Sequence, residues 1–466
     1  MRKKLRRKKF SSLLFAFFFL VFCLSCSLDS NQGRYSVLSN ENDEIEIIED
    51  SENDDSSENS EAEADEKFGE WTILVYMAAD NELESAAISD LNEMENVYLP
   101  DELNLLVLLD RSGGYDSSNG DWKGTRIYKV SKDENLNKNL ITSEILECEE
   151  LELSPDKEAE LDMGDEKTLS GALQFARRRY KSSNYALVVW GHGSGWRGFS
   201  EDETNSSFMT LSRLRAGIES GMEGEKLDFL GFDTCFGSTF EVAYEMKDCA
   251  KIMAGTPGIA AESGWDYTVL LEDFIGGGLT SESLYSACKN QFQSSYENYK
   301  YGAFSVLDLS KIGGVFSAFN EFSGKAALKI SDLEIRNKIF EAIESDAISY
   351  MATSSLTDFY IDVISLAEIL DSSLCDEEIS SLKNNFCEKL NLAVLDSWCA
   401  TAGGSALSVF FNVYKCPGIF SLTHESLYVN GSREVEICNF VSVCSGYVPT
   451  KNCNGSLLDK LFYTNF

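Results

Sequence analysis

Two glycine-flanked segments carry the side chains suited to covalent chemistry. Tyr185-Ala-Leu-Val-Val-Trp190 runs into Gly191-His192-Gly193-Ser194-Gly195-Trp196, and Leu227-Asp-Phe-Leu-Gly-Phe232 runs into Asp233-Thr234-Cys235-Phe236-Gly237. A cysteine attacks as thiolate, and it gains from a nearby imidazole and from a helix N-terminus. Cys235 has a candidate for each: His192 at the end of the other apolar run, and a helix expected from about Ser238. His192 would protonate the leaving group, a task for a side chain titrating near neutrality. Gly193 has no side chain, so its N–H can approach an oxyanion together with the N–H of Cys235. The chain holds only two histidines, and His424 lies in a polar stretch, so no histidine-based metal site is expected and no metal ligands are assigned. Asp233 stands two residues before Cys235 and faces the same side of an extended backbone. It either receives a basic side chain from a substrate or braces a loop or helix end. Asp266, beside Trp265 after another strand end, is expected to reach the same cleft.

Positioning these residues requires buried strands whose carboxyl ends meet. Tyr185–Trp190 and Leu227–Phe232 are continuous apolar runs, the pattern of strands covered on both faces. Trp71–Ala79 and Leu103–Asp110 share it, Arg126–Val130 reads as an edge strand, and Ala250–Gly255 and Gly302–Asp308 add two more. Between them, helical spacing predicts a helix capped by Asp80-Asn81 and running through Leu83, Ala87, Leu91 and Met94. Further helices are expected at Thr168–Tyr180, Leu211–Ile218 and Ser238–Met246. Strand and helix in alternation imply an α/β fold with a mostly parallel central sheet flanked by helices, and ligands in such sheets bind beyond the strands' carboxyl ends. Residues 131–167 read as a polar insertion with little core, and Arg197–Phe208 as a loop. Beyond Ser310 helical periodicity dominates to about Leu395, followed by the apolar run Ala406–Phe411.

The flanks bound the compartment. Seven of the 40 basic residues lie in the first nine positions, ahead of the apolar run Phe10–Leu24. A basic head before an apolar stretch too short to span a bilayer is a signal-peptide pattern, so residues 1–25 are expected to direct export. Ser25-Cys26 resembles a bacterial lipoprotein box, which makes Cys26 the expected acylated residue and the bacterial cell envelope the expected location. Between Glu41 and Glu66 there are fourteen Asp or Glu and no Lys or Arg, so residues 26–67 read as an acidic, disordered tether. A net charge of −37 excludes nucleic acid as a partner, since that affinity depends on cations displacing counterions. Of thirteen cysteines, ten remain once Cys23, Cys26 and Cys235 are set aside. In an exported chain these pair as disulfides or act as buried thiols.

Five ordered blocks resemble the clostripain-like cysteine peptidases, relatives of caspases and gingipains. They are Tyr76-Met-Ala-Ala-Asp80-Asn81-Glu-Leu83 with Asp90-Leu91-Asn-Glu-Met94, Trp190-Gly-His192-Gly-Ser-Gly-Trp196, Phe232-Asp233-Thr-Cys235, Gly264-Trp265-Asp266-Tyr267 and Leu407-Ser-Val-Phe-Phe411. The resemblance implies a caspase-like sandwich, with a catalytic core over 68–310 and residues 311–466 completing the peptidase body. It also implies a His192/Cys235 dyad and cleavage of proteins or peptides after Arg or Lys. It assigns Asp233 to the pocket for the basic residue, with Trp265 and Asp266 as further substrate contacts. Calcium is the one cofactor it admits, although no EF-hand spacing is present. Residues 198–212, between the catalytic positions, contain no Lys or Arg at which self-cleavage would be expected. Two other functions compete: a surface lipoprotein that binds without catalysis, and a thiol hydrolase or transferase acting on another acyl substrate.

Overall fold

The computed structural model describes residues 68–136, 140–329, 333–350 and 360–410. The expected leader, the acylated Cys26, the tether and the end of the run at Phe411 lie outside these residues. The apolar runs form the strands of one nine-stranded sheet. Its members are β1 (Gly69–Ala79), β2 (Leu103–Arg111), β3 (Gly124–Lys129), β4 (Glu144–Ile145), β5 (Ser182–Trp190), β8 (Leu227–Asp233), β9 (Ala250–Gly255), β10 (Ala303–Asp308) and β12 (Val394–Cys399). The order across the sheet is β12-β10-β9-β8-β5-β1-β2-β3-β4. The five central strands, β9 to β2, are parallel, and the flanking pairs are antiparallel.

Helices cover both faces. One face carries α1 (Glu84–Met94), α5 (Tyr267–Gly276) and α6 (Ser281–Tyr296), packed on Val75, Val107, Val188 and Phe229. The other carries α2 (Glu166–Arg179), α3 (Leu211–Gly221), α4 (Phe240–Met246) and α7 (Leu309–Lys329), packed on Leu74, Leu106, Leu187 and Leu230. On this face α8 (Leu333–Asp346), α9 (Val363–Leu374) and α10 (Glu377–Ala393) extend the same core. The mostly parallel α/β sandwich is therefore the one expected. Short polar caps start the helices that follow strands, with Thr210 accepting from Arg213 N and Thr239 from Val242 N.

Several local expectations differ. Leu83, and not Asp80 or Asn81, is the residue before α1, and Asn81 Oδ1 accepts the Leu83 N–H at 3.0 Å. Asp80 turns away to accept the Thr204 N–H at 2.7 Å. The 131–167 segment has more core than its polarity suggests, because Cys148, Leu153 and Met163 are fully buried anchors spaced along it. The expected loop 197–208 contains a hairpin, β6 (Phe199–Asp202) with β7 (Ser207–Met209). The helical stretch after Ser310 is interrupted by β11 (Tyr360–Asp362), which pairs with β13 (Ser408–Phe410) outside the main sheet. The seven described cysteines are free thiols.

Candidate active site

Register brings His192 and Cys235 to the ends of neighbouring strands. In the parallel pair β5/β8, Trp190 is opposite Asp233. His192 and Cys235 each lie two residues beyond that pair, at the carboxyl edge of adjacent strands. The loops interlock there: a Cβ at Gly193 would overlap the Cys235 carbonyl oxygen and lie 2.8 Å from Thr234 Oγ1. Gly193→Ala is therefore expected to destabilise the fold by about 2 kcal/mol, the usual cost of overpacking, read as a lowered Tm in thermal unfolding. An unchanged Tm would show that the two loops are not in contact. Neither the Gly193 N–H nor the Cys235 N–H donates to an acceptor among the described residues.

The thiol is half-buried. Its Sγ accepts the Ala260 N–H at 3.3 Å and faces the Ala260 carbonyl at 3.8 Å. Burial pushes its pKa up to about 11, so the resting group is a neutral thiol. His192 Nε2 lies 3.3 Å from Glu82 Oε1, an ion-pair contact without hydrogen-bond alignment. Burial pulls the imidazole pKa down, but Glu82, with Glu201 and Glu203 beyond it, holds the net value above that of a free histidine. Among the described residues no hydrogen bond joins His192 to Cys235.

One tyrosine ties the two loops together. Tyr360 Oη accepts the Trp196 N–H and donates to the Ser194 carbonyl, both at 3.1 Å, while its ring stacks on Phe236 at 4.7 Å. Phe236 itself sits at φ +56°, held by its N–H to the Gly258 carbonyl at 2.7 Å.

Asp233 points from the end of β8 toward α1 and α5 and is 4% exposed. Its Oδ2 accepts the Trp265 N–H and the Tyr267 hydroxyl, both at 3.1 Å. Burial raises its pKa to about 7 against those donors, and the charge of Glu93 adds to the rise. Asp90 of α1 shares the space and accepts the Trp190 indole N–H at 2.7 Å. Gly264, at φ +58°, lies against both: a Cβ there would sit 2.9 Å from Asp233 Oδ2 and 3.1 Å from Asp90 Oδ2. Two buried carboxylates thus face one small volume behind the cysteine.

Trp265 and Asp266, expected as substrate contacts, are both engaged by the protein itself. The indole of Trp265 is 2% exposed and packs edge-on against Phe304, while its backbone N–H donates to Asp233. Asp266 caps α5, accepting the Val269 N–H at 3.0 Å. Sequence reasoning missed Asp90, Glu82, Ala260 and Tyr360. Asp90 had left a signal: it lies on the Ala87–Leu91–Met94 stripe of α1, where a charge has no solvent.

The comparisons place the chain. A profile described as the clostripain family matches residues 75–431. The chain belongs to this family of cysteine peptidases. It is 26% identical over 397 residues to clostripain of Hathewaya histolytica, covering 73% of this chain and 74% of that one. Two solved structures share the fold at a TM-score of 0.57 each. One is a secreted C11 cysteine protease from Bacteroides thetaiotaomicron bound to an irreversible peptide inhibitor, 19% identical, covering 80% of this chain and all of that one. The other is an inactive zymogen C11 protease from Parabacteroides distasonis, 16% identical, covering 85% and 99%.

Proposed function

We propose that the chain is an exported endopeptidase, anchored by lipid at Cys26, that cleaves after Arg or Lys through Cys235 and His192. The observation carrying this reading is the register at Trp190/Asp233, which sets the cysteine beside the histidine with a buried carboxylate pair behind them. For reaction, Sγ turns from Ala260 toward His192 and gives up its proton to the imidazole. The thiolate adds to the scissile carbonyl carbon, and the oxyanion accepts the N–H groups of Gly193 and Cys235. The imidazolium then protonates the departing amine as the C–N bond breaks, leaving a thioester. Water, deprotonated by the neutral imidazole, hydrolyses it and restores the thiol. Glu82 favours the protonated imidazole that the amine's departure requires. Asp233 and Asp90 receive the basic side chain, whose charge replaces the proton that burial otherwise keeps on the pair.

The test is hydrolysis by protein lacking residues 1–67 of peptide reporters ending in Arg, Lys, Ala or Glu. Turnover of the Arg and Lys reporters at least about 100-fold faster, lost on thiol alkylation, is the expected result. Equal rates on all four would remove the specificity, and no turnover with an unreactive Cys235 would favour the binding lipoprotein.

A further inference from the structure

Between Cys235 and the buried acid pair runs one short turn, residues 260–265, and it touches both. At its start the Ala260 N–H donates to Cys235 Sγ at 3.3 Å, and the Ala260 carbonyl lies 3.8 Å from the same sulfur. At its end the Trp265 N–H donates to Asp233 Oδ2 at 3.1 Å. A third bond closes the turn on itself, from the Gly264 N–H to the Ala261 carbonyl, also at 3.1 Å. Gly264 borders the space between the acids so closely that a Cβ would lie 2.9 Å from Asp233 Oδ2 and 3.1 Å from Asp90 Oδ2.

The two halves of the loop after β9 are fixed differently. Thr256, Pro257 and Gly258 are buried, and their carbonyls accept from Ser238 N–H, Ser408 Oγ and Phe236 N–H at 2.9, 2.8 and 2.7 Å. Residues 259–264 are half-buried or exposed, so little packing holds them. Apart from the thiol, the hydrogen-bond partner they find outside the turn, among the described residues, is Tyr296, whose Oη accepts the Ala261 N–H. Tyr296 ends α6, is 5% exposed and stacks on Phe292 at 4.0 Å with the rings nearly parallel. A ring held in this way gives its hydroxyl a fixed position.

We propose that Tyr296 is a positioning residue that couples recognition to the nucleophile: it holds the turn against the resting thiol until a basic side chain enters beside Asp233 and shifts it. This rests on the peptidase reading, in which that side chain comes to lie between Asp233 and Asp90. The cation crowds Gly264, whose main chain borders the space, and the Gly264 N–H carries the displacement to Ala261. Glycine accommodates the change of backbone angle that this requires. The Ala260 N–H is drawn off Sγ, and the sulfur turns to His192. A thiol sulfur is a weak acceptor, so a contact at 3.3 Å is readily given up. The effect has the size of one ordinary hydrogen bond, about five-fold in the fraction of free thiol. An uncharged side chain has no attraction for the two carboxylates and leaves the turn in place, so the coupling adds to the discrimination at Asp233.

The test uses the full chain and follows alkylation of Cys235 by iodoacetamide, read by peptide mass mapping, with and without methylguanidine. That cation carries the charged group of arginine but no scissile bond. Methylurea, its neutral counterpart, is the control, and calorimetry reports binding. The expected result is alkylation about five-fold faster at saturating methylguanidine and unchanged with methylurea. Tyr296→Phe is expected to raise the rate about five-fold without any cation and to leave methylguanidine less than about two-fold further effect, with Tm within a few degrees of the parent. Methylguanidine that binds yet leaves alkylation unchanged, or slows it, overturns the proposal. So does a Tyr296→Phe protein that keeps both the parent's slow rate and its response. If that variant does not fold, the parent's response decides. Methylguanidine that fails to bind, or that binds Asp233→Asn as tightly, refutes the pocket itself, and the coupling falls with it.

Discussion

Cys235→Ala is expected to lower kcat on Arg and Lys reporters by about 10⁴-fold or more while leaving the fold intact. The size follows from the route: without Sγ no thioester forms, and only the oxyanion donors and substrate binding remain to help water attack. The fold should tolerate the change because the thiol is half-buried and its hydrogen bonds among the described residues are those with the N–H and carbonyl of Ala260. Losing one weak acceptor costs about 1 kcal/mol, so Tm should move by no more than a few degrees. The checks are single-turnover kinetics and thermal unfolding on the same preparation. Residual hydrolysis above about 1% of the parent would mean that another group is the nucleophile.

Asp233→Asn is the second large effect. Asn still accepts from Trp265 N–H and Tyr267, so the loop should keep its shape. What is lost is a negative charge facing a desolvated cation, and truncating one member of such a pair costs about 2–5 kcal/mol. The expected result is a fall of about 10²-fold in kcat/KM for Arg and Lys reporters, with little change for an uncharged one. An equal loss on every reporter would make Asp233 a brace for the 264–267 turn. Its raised pKa fixes the sign of two pH effects. The folded state holds the Asp233 proton to about pH 7, whereas the unfolded chain releases it near 4, so stability of the free protein falls as pH rises from about 4 to 7. Recognition of Arg or Lys, which needs the carboxylate, strengthens as pH rises through about 7. Both trends should flatten in Asp233→Asn.

These expectations rest on features of unequal visibility. Buried parallel strands announce themselves as continuous apolar runs, which is why His192 and Cys235 could be placed at strand ends from residue order alone. The strand β12 is different. Its residues alternate between half-buried and exposed and follow α10 without a break, so periodicity merged it with the helix. The β6/β7 hairpin is too short to carry a pattern. Contacts between distant segments leave still less trace: Glu82 meets His192, and Asp80 meets Asp202, only after β1 and β5 have paired. Asp233 was ambiguous because bracing a loop and reading a cation ask for the same carboxylate, and the structure has it bonded to the loop while facing Asp90.

Tyr360 has a consequence for the C-terminal region. It reaches the site from β11, a strand held by β13 and not by the central sheet, yet it touches the segments of both proposed catalytic residues. The described residues after β10 thus bear on the proposed site as well as packing on the sheet. Tyr360→Phe removes the hydroxyl that holds Ser194 and Trp196 and leaves the backbone pairing of β11 with β13 in place, so it would shift the loop of the proposed acid without contacting either proposed catalytic residue.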